Sequence, residues 1–267
     1  MIRDITIGQY YKADSVIHRL DPRVKLMGTL IFIISLFMGM NIWIYAVVTV
    51  ALAVVIKMSR IPLKFMVRGL KSIVILIIIS AVFNLFLTPG DVLIQIWKLT
   101  ITYQGLKMAI FTVVRLIYLI VGTSLMTLTT TPNNLTDGLE KGLGFLKVIK
   151  VPVHEIAMMM SIALRFIPIL IEETDKIMKA QMARGADFEN GSIIRRAKAM
   201  VPILVPLFVS AFRRANELAM AMEARCYHGS EGRTKMKPLK YEKRDRIAYI
   251  SMVLYLGVII IVKIIAA

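Results

Sequence analysis

Residues 26–56 read LMGTLIFIISLFMGMNIWIYAVVTVALAVVI, and no residue in this run carries a charged side chain. A single membrane-spanning helix needs about 20 residues. The run is therefore too long for one span and suits two short spans that turn at Gly39-Met40-Asn41. The chain of 267 residues is 57% hydrophobic, with a mean hydropathy of +0.70. These values predict an all-α, polytopic membrane protein.

About five apolar segments are predicted to cross the membrane as helices. They are residues 23–39, 41–57, 71–88, 108–131 and 247–264. Asp21-Pro22 is expected to start the first one as N-cap and first helical residue, because proline lacks the N–H that this position leaves unused. The chain is thus predicted to have three parts: residues 1–131 with four spans, a cytoplasmic coupling domain over 132–246, and a last span in 247–267.

The excess of basic residues predicts the orientation in the membrane. The chain has 34 Lys and Arg against 17 Asp and Glu, a formal net charge of +17. Binding to nucleic acid is an alternative explanation, but a soluble basic domain is not this apolar, so we expect membrane lipid and no nucleic acid as a partner. Residues 57–71 hold five cations and no acid, which predicts a cytoplasmic loop, whereas 89–107 is predicted to be external. The N-terminus and residues 132–246 are then cytoplasmic in a bacterial or archaeal cell, and the C-terminus is external.

Two further apolar segments, residues 156–171 and 199–212, are not expected to cross. The first contains Arg165 and Pro168, and the second is short and contains two prolines. If both crossed, residues 172–198 would be exported with six cations, against the charge bias of membrane proteins. We therefore predict two long helices that lie against the cytoplasmic face of the membrane or against partner helices.

Two similar tripeptides, Ala183-Arg184-Gly185 and Ala224-Arg225-Cys226, each end a long helical pattern in this basic region. Glycine after a helix and arginine in its last turn are common at helix ends, so the first tripeptide alone fits an ordinary cap. The second copy favours a binding role. A small alanine leaves room for a partner to approach, and the arginine fork bonds carboxylates and carbonyls bidentately. Two arginines at two helix ends indicate a protein that binds two similar partners.

Four stretches, taken in order along the chain, resemble the T component of energy-coupling factor (ECF) importers of vitamins and metals. They are residues 18–26 (HRLDPRVKL), 130–139 (TTPNNLTDGL), 165–188 (RFIPILIEETDKIMKAQMARGADF) and 212–225 (FRRANELAMAMEAR). The resemblance extends over nearly the whole chain, and four motifs in the same order are hard to obtain by chance.

The resemblance implies a division of labour among subunits. In that family, coupling helices end in X-Arg-X motifs, and each arginine inserts into a groove on one of two ABC ATPase subunits. A small membrane protein, the S component, binds the vitamin and rests on the T component. This chain would then be a non-catalytic scaffold without a cofactor, and its partners would bind the ATP. Carried over, the ATPase-contacting residues are Ala183, Arg184, Gly185, Ala224, Arg225 and Cys226. Cys226 departs from the more common glycine ending.

The two predicted long helices, 153–184 and 193–226, are rich in methionine. A methionine side chain is flexible and polarisable, so a face of them suits a surface that re-packs as a partner docks and leaves. For any single methionine an ordinary core or lipid-facing position is the favoured interpretation, so the prediction applies to the face and not to one residue. The methionines are Met158, Met159, Met160, Met178, Met182, Met200, Met220 and Met222.

The sequence offers little for catalysis or metal binding. It contains no G-x-x-x-x-G-K-[ST] loop, so it cannot hold ATP phosphates in the Walker manner. His18, His154 and His228 are scattered, and Cys226 with His228 offers two ligands where a structural metal site needs about four. We expect no metal, and we expect His18 to cap or pair at the membrane interface.

Arg115 lies inside a predicted span, where a charge is costly and often functional. It is expected to snorkel outward or to contact a backbone carbonyl; the alternative is a contact with a partner subunit. The alternative function for the whole chain is a stand-alone secondary transporter with its own substrate site. Such a protein typically shows internal repeats and buried ionisable groups at mid-membrane, and no repeat covers the membrane part of this sequence.

Overall fold

The computed structural model describes residues 10–71, 73–96, 99–186, 188, 192–229 and 238–265. These residues form helices with one β-hairpin, and 79% of the structure is helical, which confirms the all-α class. The helices are α1 (Pro22–Phe37), α2 (Ile42–Ser59), α3 (Leu63–Lys71), α4 (Val74–Leu87), α5 (Tyr103–Thr129), α6 (Pro132–Gly142), α7 (Val153–Ala183), α8 (Ile193–Ala224) and α9 (Lys243–Ile265), with a 3-10 helix over Gly144–Ile149. The hairpin strands are β1 (Val92–Ile96) and β2 (Leu99–Thr102).

The described residues divide into two compact units. The first unit contains the described residues from Tyr10 to Leu139 together with those from Leu239 onward, and so holds α1 to α5, the hairpin and α9. The second unit is Glu140–Pro238 and holds α7 and α8. The C-terminal helix α9 therefore packs with the N-terminal helices, although more than a hundred residues separate them in sequence.

The start of α1 confirms the predicted cap. Asp21 is the N-cap, Pro22 is the first helical residue, and the Asp21 carboxylate accepts the Arg23 backbone N–H at 2.9 Å. The Asp21 N–H donates in turn to the carboxylate of Asp245 at 2.9 Å. Asp245 is 1% exposed and also accepts the Glu242 N–H at 2.8 Å, as the third residue of a capped helix does. One buried carboxylate thus ties the starts of α1 and α9 together.

The core of the first unit lies between α1, α2, α5 and α9. Its buried centre is Leu36, Ile44, Tyr45, Val48 and Ile259. Against it α1 and α5 approach closely, because Gly122 of α5 faces the ring of Phe32 of α1. A Cβ atom at position 122 would lie 2.4 Å from that ring, so only glycine fits without a shift.

The helices that are long and apolar enough to cross a membrane differ in part from the predicted spans. In the described residues they are α2, α5, α7 and α9, with α3 and α4 as a further span if the pair, bent by 63°, crosses together. α1 is helical as predicted, but its 16 residues span about 24 Å, less than a bilayer core of about 30 Å. Conversely α7, which the charge pattern assigns to the membrane surface, has the length and composition of a span.

Two segments predicted as loops contain regular structure. Residues 63–71 form α3. Its Met66 side chain is 1% exposed and packs with Ile61, Leu125 and Leu128, which stabilises the helix against the core. The segment after α4 holds the antiparallel hairpin, in which Val92 lies opposite Thr102 and Ile96 opposite Leu99. Both strands are rich in β-branched residues, which favours extended backbone over a bare loop.

Candidate functional site

The first of the two arginines caps the end of α7. The helix ends at Ala183, as predicted, and Arg184 is its C-cap. Gly185 follows with a φ of 89°, in the left-handed region that glycine adopts at no steric cost. The N–H groups of Gly185 and of the next residue donate to the carbonyls of Met182 and Gln181, at 2.9 and 3.0 Å. This pair of hydrogen bonds is a Schellman motif.

The second arginine ends α8 in the same way. The helix ends at Ala224, Arg225 follows, and Cys226 has a φ of 54°. The N–H of Cys226 donates to the carbonyl of Glu223 at 2.9 Å, and the next N–H donates to that of Met222 at 3.1 Å. The second end is therefore also a Schellman motif, although a cysteine takes the place of the glycine.

The two arginines are presented alike. Each follows an exposed alanine and precedes an exposed residue in the left-handed conformation. The side chains of Arg184 and Arg225 are themselves exposed and make no hydrogen bond or ion pair with any other residue that the structure describes. Two guanidinium groups are thus free to bind an external acceptor at two helix ends of one geometry.

An ion pair that the sequence did not predict joins α7 to α8. A guanidinium nitrogen of Arg214 lies 2.8 Å from one carboxylate oxygen of Glu173, and the Ser210 hydroxyl donates to the other at 2.6 Å. The side chains are 37% and 24% exposed, for Arg214 and Glu173 respectively. The sequence gives only a weak signal for this ion pair, because Glu173 follows another glutamate and Arg214 follows another arginine. Only the fold shows which glutamate pairs with which arginine.

An exposed apolar stripe runs along α8. Its residues recur at helical spacing and are between 46% and 68% exposed, whereas Ile203 on another side of the helix is buried. The stripe consists of Val201, Leu204, Val205, Phe208 and Phe212. Of the eight methionines singled out in the sequence, those exposed on α7 and α8 are Met159, Met160, Met182, Met200 and Met220.

The histidines lie in separate places, and His18 and His154 each make local hydrogen bonds. The ring of His18 bonds the Tyr11 carbonyl through Nε2 at 3.0 Å and the Ser15 hydroxyl through Nδ1 at 2.7 Å, which confirms that it pairs. Because a carbonyl only accepts, Nε2 carries the proton. His154 lies 2.9 Å from a carboxylate oxygen of Glu140. No group of three His, Cys, Asp or Glu residues is arranged as metal ligands in the described part of the chain.

Arg115 has a partner that sequence reasoning missed. Its Nε donates to the hydroxyl of Tyr45 at 3.0 Å, and its guanidinium lies 5.1 Å from the centre of the Phe37 ring. Tyr45 belongs to the buried core. The cation is therefore held by a phenol and an aromatic face inside the first unit, and not by a backbone carbonyl.

Comparison with known proteins gives one consistent family. A family profile described as "Cobalt transport protein" (CbiQ) matches residues 13–236. The chain is 56% identical over 250 residues to a protein of Clostridium kluyveri named "Energy-coupling factor transporter transmembrane protein EcfT", covering 93% of each chain. A protein of the same name from Thermosediminibacter oceani is 56% identical, and the match covers 94% of each chain. Another from Bacillus subtilis is 47% identical, and the match covers 95% of this chain and 96% of the relative.

Proposed function

This chain belongs to the CbiQ family of transport proteins, and on that basis we propose that it is the scaffold subunit that couples two ATPases to substrate movement in an ECF importer. Its relatives are named as the transmembrane protein of such transporters, and its helices include several that are long and apolar enough to span a membrane. In the proposed complex, two ABC ATPase subunits bind and hydrolyse ATP. A small S component binds the vitamin or metal.

The observation that carries the proposal is the equivalence of the two helix ends. Arg184 and Arg225 follow the last residue of a long helix, precede a left-handed residue and are exposed without a partner among the described residues. Ordinary caps do not require the same side chain twice. Two ATPase subunits of the same fold would present two similar grooves, and two helix ends with the same arginine and the same cap geometry would fit them.

The chemistry of arginine indicates what each groove offers. A guanidinium binds carboxylates or carbonyl oxygens with two parallel hydrogen bonds, which a lysine cannot do. The alanines at positions 183 and 224 add no bulk beside it. The six proposed contact residues are therefore Ala183, Arg184, Gly185, Ala224, Arg225 and Cys226. ATP is bound by the partners and not by this chain.

The apolar stripe of α8 supports the proposed S-component contact. Five exposed aliphatic and aromatic side chains along one helix, with exposed methionines near them, form a surface that costs free energy in water and gains it on docking. Methionine re-packs easily, which suits a partner that docks and leaves. Closure of the ATPases would then move α7 and α8 as rigid levers and tilt the S component.

The proposed orientation has the N-terminus and the α7–α8 unit in the cytoplasm. The charge bias of the sequence supports it, because cations cluster in residues 57–71 and in the second unit. The ATPases are cytoplasmic in such an importer, so the two arginine tips must be cytoplasmic as well.

The test is co-purification of the complex from its native membrane in mild detergent. We expect Arg184→Ala and Arg225→Ala each to weaken ATPase retention, and the double variant to lose both the ATPases and uptake. An arginine at the centre of an interface is commonly worth about 2 kcal/mol or more, so two losses are measurable. Arg165→Ala with Arg213→Ala is the matched control, with one exposed arginine changed on each helix.

Either of two results would contradict the proposal. One is full uptake by a well-expressed Arg184→Ala/Arg225→Ala variant. The other is a chain that purifies without ATPases and moves solute by itself in liposomes, which would make it a stand-alone secondary transporter.

A further inference from the structure

We infer that an open cavity beside the end of α2 binds the phosphate of an anionic phospholipid headgroup. The cavity has a volume of about 590 Å³ and lies within the first unit. Three separate parts of the chain supply its cations: Arg19 before α1, Lys57 and Arg60 at the end of α2, and Arg244 in the first turn of α9. Asp14 is the acid in its lining.

The single lining acid is already used within the protein. The Asp14 carboxylate accepts two hydrogen bonds from the Arg19 guanidinium, one of them from Nε at 2.7 Å. Arg244 pairs with Glu242 outside the lining, at 2.9 Å. Lys57 and Arg60 make no hydrogen bond and no close ion pair with any described residue, although Arg60 also attracts the Asp14 carboxylate electrostatically. The concavity therefore keeps an excess of positive charge that a phosphate ester would neutralise.

Arg244 contributes its charge to the cavity and not its Nε donor. That Nε atom is buried away from solvent and makes no hydrogen bond with any described residue, so an anion in the open cavity does not reach it. The partial charges of the two helix ends at the cavity oppose each other, since α2 presents its partly negative end and α9 its partly positive end. The charged side chains therefore decide the sign of the potential in the cavity.

The surroundings favour a lipid over a soluble anion. Val16 and Met58 also line the cavity and are 52% and 43% exposed, which gives the charged floor an apolar rim. α2 is one of the helices long and apolar enough to cross the membrane, so its end lies at the depth of the headgroups. Anionic lipids concentrate at the cytoplasmic surface, where clustered Lys and Arg bind them. Only the choice of leaflet depends on the orientation proposed above.

The test compares lipids on the purified full-length chain. Native mass spectrometry would measure retention of phosphatidylglycerol and phosphatidylcholine, with inorganic phosphate as the soluble probe. We expect preference for phosphatidylglycerol, and a loss of about tenfold or more in its affinity for Lys57→Gln/Arg60→Gln, since each cation near an anionic lipid is worth about fivefold. Lys64→Gln/Lys71→Gln is the control, because it removes the same charge from the neighbouring helix α3 outside the cavity.

Three results would overturn the inference. Equal retention of the two lipids would exclude headgroup recognition, and equal loss in both double variants would show only diffuse attraction. Competition by inorganic phosphate as strong as that by the lipid would assign a soluble anion instead. If the cavity variant fails to fold, a photoactivatable phosphatidylglycerol on the unmodified protein decides: adducts at residues 14–19 and 57–60 support the site, and adducts only elsewhere refute it. ATPase retention is a separate readout, so failure here leaves the coupling proposal standing.

Discussion

Glu173 of α7 and Arg214 of α8 form an ion pair with an N–O distance of 2.8 Å, and each lies eleven residues before the arginine that caps its own helix. Eleven residues are close to three helical turns, about 16 Å. The Ser210 hydroxyl reinforces the pair by donating to the second carboxylate oxygen. The two helices are thus joined at a point that lies eleven residues before Arg184 on one helix and eleven residues before Arg225 on the other.

The first prediction concerns this ion pair. Glu173→Gln should leave ATPase retention intact, because Arg184 and Arg225 are untouched, yet lower uptake per ATP severalfold. The reason is that α7 and α8 would no longer move as one lever when the ATPases close. Transport and ATP hydrolysis measured together in proteoliposomes give this ratio directly.

Two matched variants separate the pair from its surroundings. Glu172→Gln removes an adjacent exposed carboxylate and should change nothing. The charge swap Glu173→Arg with Arg214→Glu should recover part of the coupling, because attraction survives the exchange. If Glu173→Gln and the unmodified complex took up the same amount of substrate per ATP, the ion pair would not be what makes α7 and α8 move together.

A second prediction follows from the left-handed cysteine. Cys226 has a φ of 54°, a region that costs an ordinary residue about 1 kcal/mol and glycine almost nothing. Cys226→Gly should therefore raise the stability of the α8 end by up to about 1 kcal/mol while leaving ATPase retention unchanged. Hydrogen exchange of the last turn of α8 measures the effect locally.

The equivalent position on α7 supplies the opposite experiment. Gly185 has a φ of 89°, so Gly185→Ala should loosen the end of α7 and speed exchange there. Hydrogen exchange at the end of α8 that becomes faster in Cys226→Gly would mean that the caps are not held by this backbone geometry. Exchange at the end of α7 that stays unchanged in Gly185→Ala would mean the same.

The helix ends show where sequence reasoning works and where it stops. Ala183-Arg184-Gly185 predicts the end of α7 because glycine signals a left-handed cap. Cys226 carries no such signal, and the matching bonds at α8 appear only in three dimensions. The Glu173–Arg214 pair is likewise invisible, since pairing depends on which side of each helix faces the other. Long apolar runs predict helices well, but not that a hairpin precedes α5.

A third prediction tests the close approach of α1 and α5. Gly122→Ala would place a Cβ atom 2.4 Å from the rigid Phe32 ring, so the two helices must separate and the melting temperature in detergent should fall. Gly28→Ala is the control: its Cβ would meet only the flexible end of Met252, at 2.6 Å, and should be tolerated better. Equal melting temperatures for the two variants would contradict the tight contact.

The last prediction concerns acid. Burial opposes ionisation of the Asp21 carboxyl, but hydrogen bonds from the Arg23 side chain and N–H outweigh it and hold the pKa of Asp21 below its usual value. The folded chain therefore binds this proton less readily than the unfolded chain. The resulting stability is complete above the unfolded pKa of about 4 and is lost as the pH falls through the lower, folded value.

Asp21→Asn removes this contribution, so the variant should unfold more easily than the unmodified chain at pH 6, and the difference should shrink below about pH 4. Thermal unfolding in detergent across this range measures it, with Asp91→Asn at the hairpin as the control for losing one carboxyl. A difference that stays constant down to acid pH would mean that Asp21 acts only as a neutral cap of α1. The Arg23 hydrogen bonds would then add nothing to the ionised form, and the junction of α1 with α9 would rest on the Asp245 carboxylate.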